Sequence, residues 1–359
     1  MSLLTDISWE SFQKLTLCEK APYFRSNGHE GHVIIAQQFD RERLDALGNL
    51  ATRIRRIAKS HEGLDFLQSL LSHRRAMLYF SQPSTRTFLS FLAACEILGL
   101  KTGEVRDAST SSEFKGESQE DSVRTFSSYF DLIVMRSKIG GLAERMAWLL
   151  SNSERPVPIL NAGSGKDQHP TQAVLDIYTL QRSFEKSGGI DGKRVVFVGD
   201  LLRGRTVRSL SFLLTQYRDV EQVFVAPPQL QVAEDIQAML TSAGVQFSLT
   251  DDFQSQIPDA DAIYMTRVQD EWDTQQGESE KADISKFCLG MDELALMKPA
   301  SVIMHPLPRR EEIAVEVDHD PRAVYWRQMR NGMWVRAAMI ATIFEKHKRI
   351  EAYANEHAV

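Results

Sequence analysis

Short apolar, β-branched segments at 75–80, 131–136, 157–161, 194–199, 222–226, 261–265 and 301–304 alternate with helical patterns at 84–98, 120–130, 140–151, 170–183, 205–216, 230–243 and 291–298. This alternation leaves few folds open. A strand that is followed by a helix must cross over to reach its neighbour, and such crossovers build parallel sheets with helices on both faces. At 359 residues the chain exceeds one small core, so two domains are expected. The turn-rich segment Ser187-Gly188-Gly189-Ile190-Asp191-Gly192-Lys193 marks the break. After Pro321, an amphipathic helix over 325–352 carries Trp334, Ala338, Ile340, Ile343 and Phe344. It is long enough to return to the first domain. The expected class is α/β: two doubly wound parallel-sheet domains joined by helices, with the C-terminal helix returning to the first domain. The ranges are 1–184, with 1–35 a peripheral extension, 185–322, and 323–359 for the returning helix. The polar stretch 270–284 reads as a mobile loop.

Composition narrows the function classes. A net charge of -6 points to neither nucleic acid nor an anionic membrane surface. No apolar run reaches the length of a membrane span, and the N-terminus lacks the basic and apolar regions of a secretory signal. Cys18, Cys95 and Cys288 are far apart and have no CxxC or metal spacing. They fit a reducing, cytoplasmic location.

Against this acidic background, Ser84-Thr85-Arg86-Thr87 stands out. Pro83 discourages helix at Gln82. Phe88, Phe91, Leu92, Cys95 and Leu98 then recur at helical spacing, which puts Ser84 at the N-cap. Hydroxyls, a guanidinium and backbone N–H groups at a helix start suit a phosphate or similar anion. Taken alone, the four residues read equally well as an ordinary cap with a surface arginine. Further polar groups follow other strands: Arg136, His169 to Gln172, Gly199-Asp200 with Arg205-Thr206, Arg267 and Gln269, and His305 to Arg309. In open α/β sheets ligands bind beyond the carboxyl ends of strands, so the repetition argues for one shared site between the domains. The Gly199–Gly204 loop is not G-x-G-x-x-G, and Ala226-Pro227-Pro228 brings no acidic residue to the end of the next strand, which argues against a dinucleotide.

The segments SQPSTRTF, VMRS, NAGSGKDQHPTQAVLDIYT, FVGDLLRGRTVRSL, YMTRVQ and MHPLPR occur in this order. Together they resemble the catalytic chains of the aspartate carbamoyltransferases, over about residues 75–345. The resemblance implies a carbamoyl-phosphate domain followed by an aspartate domain. It also implies transfer of a carbamoyl group to the aspartate α-amine, the committed step of pyrimidine biosynthesis, without cofactor or metal. His305-Pro306-Leu307-Pro308 stands where ornithine carbamoyltransferases carry His-Cys-Leu-Pro. Arg267 and Gln269 stand where those enzymes hold a cationic amino acid.

By the same resemblance, Ser84, Thr85, Arg86 and Thr87 hold the phosphate. Thr87, Arg136 and His169 surround the carbamoyl oxygen, and Gln172 the carbamoyl NH2. Leu307 and Pro308, joined by a cis bond, present carbonyls. Arg205, Arg267 and Gln269 bind aspartate. Taken singly, Arg136 reads as a strand-end surface arginine and His169 as a capping or core histidine; the family context reverses both readings. Ser111 and Lys115 match residues donated by a neighbouring subunit, with Lys115 reaching aspartate, so a homotrimer with shared sites is implied. Phe114 departs from the pattern, standing where a second cation is common. A regulatory chain or a dihydroorotase is a possible partner. A carbamoyltransferase for another amino acid, or a non-catalytic subunit of a pyrimidine enzyme complex, is the alternative.

Overall fold

The computed structural model describes residues 3–26, 28–106, 116–165, 168–270 and 285–358, with only the backbone of His29. The loop expected to be donated to a neighbour, with Ser111, Phe114 and Lys115, lies outside the described residues, as does most of 270–284. Two compact units are present, Met1–Leu175 with Arg330–Val359, and Asp176–Met329. The units divide inside two helices, Pro170–Phe184 and Tyr325–Ile343, whereas the expected boundaries at 184/185 and 322/323 lie at the end of the first and just before the second.

The first unit opens with α1 (Trp9–Gln13), α2 (Leu17–Lys20), the hairpin β1 (Arg25–Ser26) and β2 (His29–Glu30), α3 (Arg41–Ile57) and α4 (His61–Ser69). The alternating part follows: β3 (Arg75–Phe80), α5 (Thr85–Ile97), β4 (Lys101–Val105), α6 (Gln119–Tyr129), β5 (Leu132–Ser137), α7 (Leu142–Ser151), β6 (Ile159–Ser164) and the start of α8 (Pro170–Phe184), which continues into the second unit from Asp176. Its sheet is parallel in the order β4-β3-β5-β6. The second unit holds β7 (Arg194–Val198), α9 (Arg205–Leu214), β8 (Glu221–Val225), α10 (Glu234–Ser242), β9 (Phe247–Thr250), β10 (Ala262–Met265), α11 (Met291–Leu296) and β11 (Val302–Met304). Its parallel order is β11-β10-β7-β8-β9. The inner strands are buried along almost their whole length, as expected where both faces of a parallel sheet are covered. Two edge strands, β4 and β9, were not expected. KTGEV and FSLT are largely exposed or half-buried and carry no continuous apolar run.

The C-terminal helix returns to the first unit as expected, but it is two helices. α12 (Tyr325–Ile343) stops and α13 (His347–Glu356) packs along α3. Glu345 adopts φ 54, while Glu345 N–H donates to the Thr342 carbonyl and Lys346 N–H to the Ala341 carbonyl. That is a Schellman stop with Glu in the position Gly usually takes. The first 35 residues, expected to be peripheral, place Leu4, Phe12, Phe24 and Ile34 in the first unit's core beside Tyr79 and Ile133.

Next to that core, His32 is locked in one tautomer. Its Nδ1 accepts from Ile159 N–H at 3.0 Å, so the Nε2–H faces the Ser151 hydroxyl at 3.0 Å. Burial lowers its pKa to about 4. Burial raises Glu30 to about 7, although Arg43 and Arg25 oppose it. The folded state therefore holds a proton on Glu30 between pH 4.5 and 7 that the unfolded chain lacks, and stability falls as pH rises through that window. His32 acts in the opposite sense between about 4 and 6.5. In a Glu30→Gln variant the His32 contribution cancels against the parent. The stability of this variant relative to the parent is expected to rise by up to ~3 kcal/mol between pH 4.5 and 8, read from denaturant unfolding at stepped pH.

Candidate active site

In the first unit, register puts the residues expected to hold an anion at one sheet edge. β3 and β5 pair with Phe80 opposite Arg136. The Arg136 carbonyl accepts from Gln82 N–H at 3.3 Å and from the Ser81 hydroxyl at 3.2 Å, which ties the approach to α5 onto the end of β5. Ser84 is the N-cap of α5 in extended conformation, φ -164, and its hydroxyl makes no cap bond to the helix. Because the first turn of a helix has no intrahelical acceptors for its N–H groups, the start of α5 is an anion-attracting end. Thr85 and Arg86 are exposed there and Thr87 is buried. Arg136 sits where the β5–β6 register shifts between Met135 and Ser137. The shift re-aims a side chain at the strand end. Arg136 is only 8% exposed, and its Nη1 donates to the Ala162 carbonyl at 3.0 Å.

Beyond β6, His169 precedes Pro170 at the start of α8, and its carbonyl accepts from Gln172 and Ala173 N–H. Both His169 and Gln172 are buried. Proline at the first helical position matches its fixed φ. The structure thus brings Ser84–Thr87, Arg136, His169 and Gln172 to the carboxyl ends of three adjacent strands.

The second unit builds a different site from three strand ends. Gly199 follows β7 at φ +113, and a Cβ there would stand 2.1 Å from the Thr266 carbonyl oxygen, so only glycine allows the close approach. Asp200 is fully buried. Its carboxylate accepts from Arg203 N–H at 3.1 Å and from Gln269 N–H at 3.0 Å. One carboxylate therefore ties the loop that leads to Arg205 onto the loop that carries Arg267 and Gln269. Arg205 begins α9. Arg267 is half-buried; its Nη1 donates to the Val268 carbonyl at 2.8 Å and lies 3.7 Å from Asp270. The sequence reading placed Asp200 among the strand-end groups but gave it no role.

The third strand end is the His305–Arg309 turn. Leu307 has φ 56 and the Leu307–Pro308 bond is cis, as the resemblance implied. His305 is fully buried. Its Nδ1 accepts from Leu307 N–H at 2.7 Å, which leaves Nε2–H to donate to Glu312 at 2.7 Å. Glu312 also accepts from Arg310 N–H at 3.1 Å. Burial pushes the Glu312 carboxyl up, yet the His305 bond prevails and holds it below the usual range. Gln328 accepts from His305 N–H at 2.9 Å and donates to Asp176 at 2.7 Å, and Tyr264 donates to the same Asp176 at 2.8 Å. Glu312, Gln328 and Asp176 are supports that nothing in the sequence singles out, and His305, noted there only as part of the strand-end turn, proves to be the residue that fixes its shape. Among the described residues, no group of three or more His, Cys, Asp or Glu is placed to hold a metal.

A helix start with exposed Thr85 and Arg86 at one sheet edge, and the loops of Arg205 and Arg267 at another, are groups suited to a transferase with a phosphorylated donor and an acidic acceptor. Two family models cover most of the chain. The carbamoyl-P binding domain of aspartate/ornithine carbamoyltransferase matches residues 31–182, and the Asp/Orn binding domain of the same family matches 191–343. The chain belongs to this family. It is 40% identical over 331 residues to an aspartate carbamoyltransferase of Pisum sativum chloroplasts, covering 90% of this chain and 82% of the relative. It is 37% identical over 323 residues to the aspartate carbamoyltransferase catalytic subunit of Vibrio campbellii, covering 89% and 98%. A Trypanosoma cruzi aspartate transcarbamoylase structure in complex with carbamoyl phosphate and aspartate is 35% identical, with TM-score 0.76 over 87% of this chain and 96% of that one.

Replacing His305 with Leu removes the acceptor of Leu307 N–H and the donor to Glu312 together. Each buried group left without its partner costs ~1–3 kcal/mol. A loss of roughly 2–5 kcal/mol is expected in denaturant unfolding. The smaller change His305→Asn, which keeps one polar partner, should lose less.

Proposed function

We propose that this chain transfers the carbamoyl group of carbamoyl phosphate to the α-amine of L-aspartate, giving N-carbamoyl-L-aspartate and phosphate, and so catalyses the committed step of pyrimidine biosynthesis. The observation that carries the reading is the Asp200 tie. It holds Arg205 and the Arg267–Gln269 loop as one unit in the domain matched to amino-acid binding. Guanidinium groups form bidentate pairs with carboxylates and repel an ammonium, so this set favours aspartate over ornithine.

In the first unit, Ser84, Thr85, Arg86 and Thr87 grip the phosphate, and Arg86 neutralises it as it leaves. The amine attacks the carbonyl carbon, a C–N bond forms, and negative charge develops on the carbonyl oxygen. Thr87, Arg136 and His169 donate to that oxygen, where donors have most effect on the rate. Gln172 accepts from the carbamoyl NH2. The C–O bond to phosphate then breaks, and the amine proton passes to the departing phosphate. Arg205, Arg267 and Gln269 hold the aspartate carboxylates, while Leu307 and Pro308 offer carbonyls to the bound substrates.

His169 acts in this scheme as a neutral N–H donor and not as a base. His169→Ala is expected to lose ~10²–10³ in kcat, the value of one oxyanion donor. Complete loss, as for a missing nucleophile, would contradict the role. The overall reading is tested by product formation with aspartate against ornithine and acetylated ornithine. Turnover of aspartate alone is expected, and preferential turnover of either other amine would overturn it.

The assembly is proposed to be a homotrimer in which Ser111 and Lys115 complete a neighbour's site, and Lys115 reaches its aspartate. The Vibrio campbellii relative is a catalytic subunit, which supports a separate regulatory chain as a partner of this one. The plant relative is chloroplastic; the cytoplasmic location proposed for this chain is checked by fractionation. Shared sites make a specific prediction. Arg86→Ala chains reassembled with Lys115→Ala chains recover activity that neither variant has alone, because some sites then hold both native residues. Mixed trimers without recovery would rule the arrangement out.

A further inference from the structure

A cavity of about 280 Å³ lies elsewhere in the first unit, among the β1–β2 hairpin, α3 and the α12–α13 junction. None of the residues assigned to phosphate or carbamoyl binding lines it. Its floor is apolar, formed by Val33, Phe39, Leu47, Leu50 and Met339, all buried. Its polar groups are unevenly signed: Glu30, Glu42 and Glu351 face Arg43 and His347.

The deepest of these groups is Glu30, only 7% exposed. Arg43 lies 3.3 Å from it, but the same guanidinium also pairs with Asp40. Arg25 bears on Glu30 as well, while its Nη2 donates to the Gln38 carbonyl at 3.2 Å. These cations do not offset the cost of burial, as the raised carboxyl value shows. At the rim, Glu351 is 3.8 Å from Arg53 and Glu42 is exposed. Glu30 is buried above an apolar floor and its nearest guanidinium is shared with Asp40, so above pH 7, where it is ionised, it is suited to an incoming cation. Its hydrogen bonds would be charge-assisted, and its body would displace water from the floor.

We propose that this cavity binds a small organic cation, an amine or amidinium on a single-ring apolar body, with its head at Glu30 and its ring against Phe39, Leu47 and Leu50. The volume sets the size, since it lies just below the ~300–1,000 Å³ of drug-sized ligand sites. The site is independent of the carbamoyl-transfer reading and stands or falls separately from it.

The probe is benzamidine, titrated by calorimetry at a pH of about 8, where Glu30 is ionised, into the full chain with saturating inorganic phosphate. Neutral benzamide and anionic benzoate serve as isosteric controls. Benzamidine is expected to bind saturably and roughly tenfold or more tighter than benzamide, with no binding of benzoate. Two variants locate the site. Glu30→Gln removes the carboxylate while keeping its shape. Ala46→Trp, at an exposed α3 position on the lining, fills the mouth. Both are expected to abolish the preference for benzamidine and to leave carbamoyl transfer unchanged. Absence of saturable benzamidine binding, equal binding of benzamidine and benzamide, or binding that survives both substitutions would each overturn the proposal.

Discussion

Parallel pairing is the constraint on which the rest depends. In a parallel sheet every strand ends at the same edge, and each crossover helix starts there. The start of α5, the shifted end of β5 and the turn into α8 therefore gather at one edge of the first sheet without any further device. The same holds in the second sheet for the ends of β7, β10 and β11. Residues more than eighty apart in sequence, such as Thr85 and His169, reach the same edge because strand order decides their neighbours.

Bringing loops to an edge does not hold them in shape, and in the second unit buried acceptors do that. The Asp200 carboxylate takes N–H groups from two loops. Glu312 takes the His305 ring and the Arg310 N–H. Asp176 takes Tyr264 and Gln328. A buried carboxylate is costly unless its lone pairs are satisfied, so each of these also works in reverse. A loop that drifted would strand a charge. The half-buried Arg205 and Arg267 are then free of the task of holding their own loops in shape.

The sequence carried the periodic elements and the strand-end polar groups, because apolar runs and helix-start chemistry are local signals. It did not carry the supports. Asp200 after a strand looks like any turn aspartate, and its second partner, Gln269, is visible only once β7 and β10 are paired. The edge strands β4 and β9 escaped for the opposite reason, since they lack the double-sided burial that marks a parallel strand. The break before α13 had no glycine or proline to announce it: Glu345 bears a left-handed conformation that costs about 1 kcal/mol or more for a non-glycine residue.

The first unit is assembled from both ends of the chain, with α13 lying on α3 and the second unit between them in sequence. During synthesis the whole of Asp176–Met329 emerges before Arg330–Val359 does. The ribosome therefore delivers the inner unit complete while the outer one still lacks its closing helix.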